Sequence, residues 1–418
     1  NRSSREPHVS QALKPVDLHL QEILTAVAPL GSLVLNLSDA HGCVLAEDVF
    51  TTFPLPPFDS AAVDGYAVRS DDVRAATPTT PIALPVVGDV VAGSNTPYTV
   101  QSGLSVRIME GAPMPPGADA VVPYGATDGG MANVEIRQPS APGRHVRIAG
   151  GEAPPGTRLM AAGTNLGATQ IGLLAAVGRD RVAVMPRPRI VVMTTGGELV
   201  EPGQPLARGQ RPDANSALLT SAAEEAGAMA FRVGIVPDQP GVLADTLEDQ
   251  LIRADVVIAA GGAGGGSGVL REVLNRIGRV QFDHVAMQPG SAQGFGLIGP
   301  DQTPFFAVPA DPVGAYMSFE AFVRPALRRM IGVEPITRPL VSAVLQEQVR
   351  SSPGVRTYLA AWLAVENGAY TVRAMGGASS GQIAGLASAN ALIVVPEEVA
   401  ILEAGAPATV MMLERRQP

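Results

Sequence analysis

From residue 188 the chain alternates apolar runs with amphipathic ones at short intervals. RPRIVVMTTGGEL reads as a strand ending in a loop, and DANSALLTSAAEEAGA as a helix that Asp213 or Asn215 would cap. AFRVGIVPD is a second strand, PGVLADTLEDQLIRA a second helix and DVVIAAGG a third strand. Parallel neighbours need a long crossover, usually a helix, so this alternation predicts a parallel, doubly wound sheet. Few other architectures accommodate it.

The flanking segments read differently. Residues 15–29, PVDLHLQEILTAVAP, place Leu18, Ile23, Leu24 and Val27 at helical spacing between two prolines. Residues 60–145 hold short β-like runs (PIALPVV, LSVRIM, DAVVPY, VEIRQ) divided by Gly and Pro, as in a small, mostly antiparallel β domain. A turn-rich entry and a helix follow at 146–178, and this flank is expected to pack with residues 10–50 around the β insertion. FEAFVRPALRRMIG (319–332) reads as a helix. Beyond it, RPLVSAVLQEQV, RTYLAAWLAV, AYTVRAM, NALIVVP and PATVMML give short strands, hence a C-terminal β domain or barrel. The 418 residues fit roughly three domains by length alone.

Charge excludes some functions. A net charge of −9 argues against broad nucleic-acid binding, which needs a basic face to displace counterions. No apolar run approaches the ~18 residues of a membrane span. The N-terminal NRSSREPHVSQALKP has no apolar signal core and reads as a polar leader. The one cysteine, Cys43, lies among apolar neighbours, which points to a buried structural thiol and a reducing, cytoplasmic compartment.

At 256–270 the chain reads VVIAAGGAGGGSGVL, with six glycines between 261 and 268 and no ionisable side chain. Glycine lets backbone N–H groups approach an anion closely, so the loop has the shape of a phosphate cradle. Read blandly, it is a mobile linker within the α/β domain.

Four stretches carry a resemblance. PPFDSAAVDGYAVRSDD (56–72), RIMEGAPMPPGADAVVP (107–123), TTGGELVEPGQPL (194–206) and VPADPVGAYMSFEAFVRP (308–325) resemble the molybdopterin molybdenumtransferases, the MoeA and gephyrin E-domain family, in order and over nearly the whole chain. The resemblance implies a four-domain, elongated homodimer. Residues 10–50 and 146–185 would form a discontinuous domain, 51–145 an inserted small β domain, 186–332 the doubly wound α/β molybdopterin-binding domain, and 333–418 a C-terminal β barrel. It also implies the insertion of molybdate into adenylylated molybdopterin (molybdopterin-AMP), with release of AMP and use of Mg2+.

Site residues carry over by motif. Asp64 matches the family's DGYA aspartate, whose bland reading is an Asx-turn before Gly65. Glu198 matches the essential glutamate of the TGxE loop, and Asp238 an aspartate after the next strand; both fall at strand ends, where doubly wound folds bind ligands. These three are the expected catalytic residues. Glu152 stands where the family usually has Asp and joins Glu198 and Asp238 as an expected metal ligand. Gly261, Gly262, Gly266, Pro309, Pro312 and His284 are the expected cofactor-binding positions.

Several positions depart from the family. Val269 stands where a metal-serving aspartate often sits, Gly264 replaces a serine, and Gly197 replaces an aspartate. His284 and Gln288 stand in place of two lysines, Thr becomes Glu110, and the PGNP turn becomes Pro309-Ala310-Asp311-Pro312. These exchanges remove positive charge and add negative charge, so polyanion affinity is expected to fall on the order of 100-fold. By this reading the glycine loop is a ligand loop that has been relaxed.

Two functions are therefore weighed: molybdate insertion through the remaining carboxylates, or a gephyrin-like dimeric scaffold. The scaffold would bind peptide tails of a membrane receptor or of a tubulin-like division protein. Its groove would lie between the α/β domain and the barrel, near Tyr316, Phe319 and Phe322; the bland reading of these aromatics is a helix core.

Overall fold

The structure, a computed structural model, describes residues 13–95, 98–264, 268–375 and 382–413. The chain divides into two compact units: residues 1–34, 42–44 and 183–418, and residues 35–41 and 45–182.

The first unit is built on a six-stranded sheet. Its elements are β1 (Arg189–Thr195), α1 (Asn215–Glu225), β2 (Met229–Val236), α2 (Pro240–Leu251), β3 (Val256–Ala260), α3 (Val269–Ile277), β4 (Gly278–His284), β5 (Ala292–Ile298), β6 (Thr303–Val308), α4 (Pro312–Ser318) and α5 (Arg324–Ile331). The spatial order is β2-β1-β3-β6-β5-β4. The first four strands are parallel, and β5 and β4 add an antiparallel edge.

The period of two places alternate residues on opposite faces. Ile190, Val192, Ile258 and Phe306 join Leu219 and Ala223 of α1 in one core. Val191, Met193, Val257 and Phe305 join Leu243 of α2 and Val273 of α3 in the other. Covering both faces explains why these strands read as unbroken apolar runs.

The sequence reading and the structure differ at several elements here. Helix α3 and the β4–β5 hairpin were not anticipated. The helix expected over 319–332 is two pieces, a π turn over Phe319–Val323 and then α5, with Pro325, which lacks an N–H, in the first turn of α5. The helix Val16–Ala26 packs in this unit. It buries Val16, Ile23 and the following Val27 in the α1-side core beside Val323 and Leu327.

The C-terminal strands close into a barrel: β7 (Leu340–Leu345), β8 (Arg356–Glu366), β9 (Ala369–Ala374), β10 (Ala391–Val395) and β11 (Pro407–Met412). Pairing runs β8-β9-β7-β11-β10 and returns to β8, so these five strands leave no open edge. Arg356, which opens β8, holds Asp17 of the N-terminal helix with two bonds of 2.8 and 2.9 Å.

The second unit contains a five-stranded sheet in the order 120–123, 65–68, 105–108, 82–90, 133–136. It is antiparallel except for the pair 82–90 with 105–108, as the sequence reading expected of a mostly antiparallel domain. Tyr66 of the DGYA stretch is fully buried in its core and donates its hydroxyl to the Gly130 carbonyl at 2.9 Å.

Candidate functional site

In the six-stranded sheet the chain leaves β1 towards β2 on one side and returns through β3 on the other. Connections diverge at that point, and a crevice opens beyond the carboxyl ends of the strands. A cavity of about 210 Å3 lies there. The turn after β1 lines it with Thr195, Gly196, Gly197 and Glu198, and the segment after β2 with Asp238. The turn after β3 contributes Gly261 and Gly262, the entry to α3 contributes Gly268 and Leu270, and Ala310 follows β6.

Close approach of two turns explains the glycine at 261. Its φ is +107°, and a Cβ there would meet the Thr195 carbonyl oxygen at 2.5 Å. A Cβ on Gly196 would in turn lie 2.6 Å from Glu198 Oε2, so this glycine makes room for the carboxylate.

Glu198 is held from below. Arg211 Nη2 donates to Glu198 Oε1 at 2.9 Å, and the Arg211 backbone N–H donates to the Glu198 carbonyl at the same distance. The Asp238 side chain makes no hydrogen bond or ion pair among the described residues. Beneath the loop, buried Asp213 accepts from Thr194 Oγ1 at 2.9 Å and caps α1 by accepting from the Ser216 N–H at 3.2 Å. Of the two capping candidates in DANS, the structure selects Asp213. Asn215 donates from Nδ2 to the Ala310 carbonyl at 2.8 Å and so ties the turn after β6 to α1. That role was missed; the polar DANS cluster at the mouth of a helix was its only signal. Arg232 reaches Ser216 Oγ at 2.7 Å, and its hydrogen bond to Glu201 holds the guanidinium above its usual range.

Among the expected site residues, the structure brings Glu198, Asp238, Gly261 and Gly262 into one cavity. Pro309 and Pro312 flank Ala310, and Pro312 opens α4. Asp311 does not add a bare charge to the pocket: its Oδ1 caps α4 by accepting from the Gly314 N–H at 2.6 Å. His284 is exposed at the end of β4, opposite Ala292, and does not line this cavity. Gly266 lies outside the described residues. Val269 is the first residue of α3, directly after its cap Gly268.

Asp64 and Glu152 belong to the second unit and are exposed there. Asp64 does not form the local Asx-turn of its bland reading. Its Oδ1 accepts from the Glu110 N–H at 2.7 Å, across the sheet. Glu110 itself is paired with Arg147 at 2.6 Å, so its charge also has a local partner.

The donor set fits a magnesium ion. Mg2+ prefers one or two carboxylates and retains several waters, and the cavity wall offers Glu198 and Asp238 beside polar backbone.

The groove expected near three aromatics is only partly present. Phe319, Phe322 and Tyr316 are all buried in the α1-side core, and Tyr316 also borders a separate cavity of about 240 Å3 with Leu218 and Leu386.

Fold and site together define an α/β ligand-binding protein with a closed β barrel after it and a separate β unit before it. Models of three families match along its length: the MoeA N-terminal region (domain I and II) at residues 14–178, a probable molybdopterin binding domain at 191–329, and the MoeA C-terminal region (domain IV) at 342–413. Molybdopterin molybdenumtransferase 1 of Mycobacterium tuberculosis is 44% identical over 392 residues, 89% of this chain and 92% of that protein. Molybdopterin molybdenumtransferase 2 of the same organism is 38% identical over 94% of this chain and 98% of that protein. The crystal structure of a molybdopterin biosynthesis MoeA protein from Pyrococcus horikoshii superposes with a TM-score of 0.76 at 29% identity, covering 97% of this chain and all of that one. The chain belongs to the MoeA family of molybdenum cofactor biosynthesis.

Proposed function

We propose that this chain is a molybdopterin molybdenumtransferase that inserts molybdate into adenylylated molybdopterin and releases AMP at the cavity beyond β1 and β3. The observation that carries this reading is the convergence of Glu198, Asp238, Gly261 and Gly262 on one cavity at the switch point of the sheet. Glycine at 261 brings the turns after β1 and β3 together, so backbone rather than bulky side chains faces the ligand. Arg211 fixes the orientation of Glu198, and Asp238 is left to engage solvent, ligand or metal. Bound through Glu198 and Asp238, Mg2+ would neutralise phosphate charge and polarise the phosphoanhydride.

The working form under this proposal is a cytoplasmic homodimer with the four-domain division given above. Support comes from the family and from the fact that no helix among the described residues is long and apolar enough to cross a membrane. The scaffold reading has no specific observation in its favour, and all three aromatics assigned to its groove are core residues.

Complementation tests the reading. Expressed in a bacterium lacking its own molybdenumtransferase, the chain is expected to restore nitrate reductase activity. Restoration only at high molybdate would identify the weakened pocket that the departures at Val269 and Gln288 predict. A soluble, folded chain that restores nothing at any molybdate concentration would overturn the proposal.

A further inference from the structure

Outside the cavity residues, four titratable groups meet where the N-terminal helix crosses the end of β4. His19 and Glu22 are three residues apart and share one face of the helix Val16–Ala26. Asp283 comes from β4, and Lys14 lies just before the helix, its backbone N–H donating to the His284 carbonyl at 2.8 Å. Their ligand atoms make the one group of three His, Cys, Asp or Glu residues among those described in which all three lie within 4.8 Å of one another.

Each acid is already turned towards a cation. Lys14 Nζ donates to Asp283 Oδ2 at 2.8 Å and also to Glu22 Oε2. The other oxygen of Asp283 accepts from Gln281 Nε2 at 3.0 Å, which fixes the carboxylate and leaves Oδ2 facing the cluster. His19 is the unexplained member. It is 3% exposed, and its Nδ1 has no hydrogen-bond partner, yet that atom lies 4.0 Å from Asp283 Oδ2. A buried ring nitrogen left unpaired is unfavourable unless something occupies the space in front of it.

We propose that His19 Nδ1, Asp283 Oδ2 and the Glu22 carboxylate form a binding site for a divalent transition metal of the Zn2+ class, whose place the Lys14 ammonium holds in the metal-free chain. One imidazole and two carboxylates are donors that Zn2+ accepts, with a solvent molecule as fourth ligand. Gln281 plays the outer part usual at such sites, orienting a ligating carboxylate through its second oxygen. Glu22 is half exposed on the helix surface and closes onto the ion as Lys14 swings out. The metal then clamps the N-terminal helix to the sheet edge.

The test uses the full-length chain without an affinity tag, stripped by a chelator and titrated with Zn2+ against a chromophoric competitor. The expected result is one equivalent bound tightly. Glu22→Gln, an exposed change that leaves the fold intact, and His19→Gln should each lower affinity at least tenfold. Lys14→Met should raise it several-fold, because the competing cation is gone. Co2+ bound in place of Zn2+ should give the visible absorption of a low-coordinate site, lost in His19→Gln. Failure of both the parent chain and Lys14→Met to bind Zn2+ would overturn the site. So would Zn2+ affinity unchanged in Glu22→Gln and His19→Gln.

Discussion

At position 261 a missing side chain is a structural requirement. The residue has φ +107°, and a Cβ would press on the Thr195 carbonyl at 2.5 Å and on its Oγ1 at 2.8 Å. Gly261→Ala should therefore destabilise the chain by about 1–3 kcal/mol. Gly264→Ala, where a Cβ meets nothing within 4 Å among the described residues and φ lies outside the left-handed region, should be close to neutral. Urea midpoints at equal slope compare the two; equal loss at both positions would show that the constraint is not local to 261. The same scale decides Cys43. It is 4% exposed, and burial pushes its thiol above the ordinary range, more than the nearby Arg187 lowers it. The native chain is expected to be inert to a thiol reagent and to react with one equivalent after unfolding; fast labelling of folded protein would contradict this. Other residues were legible by type but not by direction. Glu110 and Asp311 read from sequence as negative charge added to a ligand pocket, yet one is paired with Arg147 and the other caps its own helix.

Among elements, α4 shows what such a cap does. Asp311 Oδ1 accepts from Gly314 N–H, and Pro312 at the first helical position removes a donor that would otherwise be unsatisfied. Asp311→Ala should cost about 1 kcal/mol of stability. Since α4 starts where the cavity ends at Ala310, Asp311→Ala should also weaken ligand binding, while Asp311→Asn retains most of both. Chemical denaturation with a binding titration on each variant checks this, and equal loss in Asn and Ala would show that charge matters beyond the cap. The strands β1 and β3 were legible because burial on both faces leaves a continuous apolar run. Helix α3 was missed although Val269, Leu270, Val273, Leu274 and Ile277 keep helical spacing, because the glycine run before it dominates the reading. For the N-terminal helix the sequence shows the element but not the contacts its apolar face makes. Periodicity reveals an apolar face, and only the folded chain shows that Val16 and Ile23 meet Val323 and Leu327.

For the molecule as a whole, the question is how a chain of net charge −9 holds a ligand that is itself a polyanion. No Lys or Arg is among the described residues that line the cavity, and the nearby Arg211 is engaged by Glu198. Under the proposed function, attraction comes from backbone N–H groups and from a divalent ion held by Glu198 and Asp238. This arrangement has a sign that can be measured with AMP, the product of the proposed reaction. With Mg2+ present, Glu198→Gln removes a ligand and should weaken AMP binding. With Mg2+ chelated, the same substitution removes a negative charge from the cavity and leaves Arg211 unpaired there, so AMP should bind more tightly than to the parent chain. Chelation itself should lower parent affinity on the order of 100-fold, since a charge interaction in a partly buried cleft is worth a few kcal/mol. Calorimetry on the two chains, with and without Mg2+, gives all four values. If Glu198→Gln shifts affinity in the same direction in both conditions, Glu198 acts by position rather than by holding the ion. If chelation leaves the parent unchanged, cations elsewhere on the chain neutralise the phosphate, and the two-carboxylate cavity is not where the metal acts.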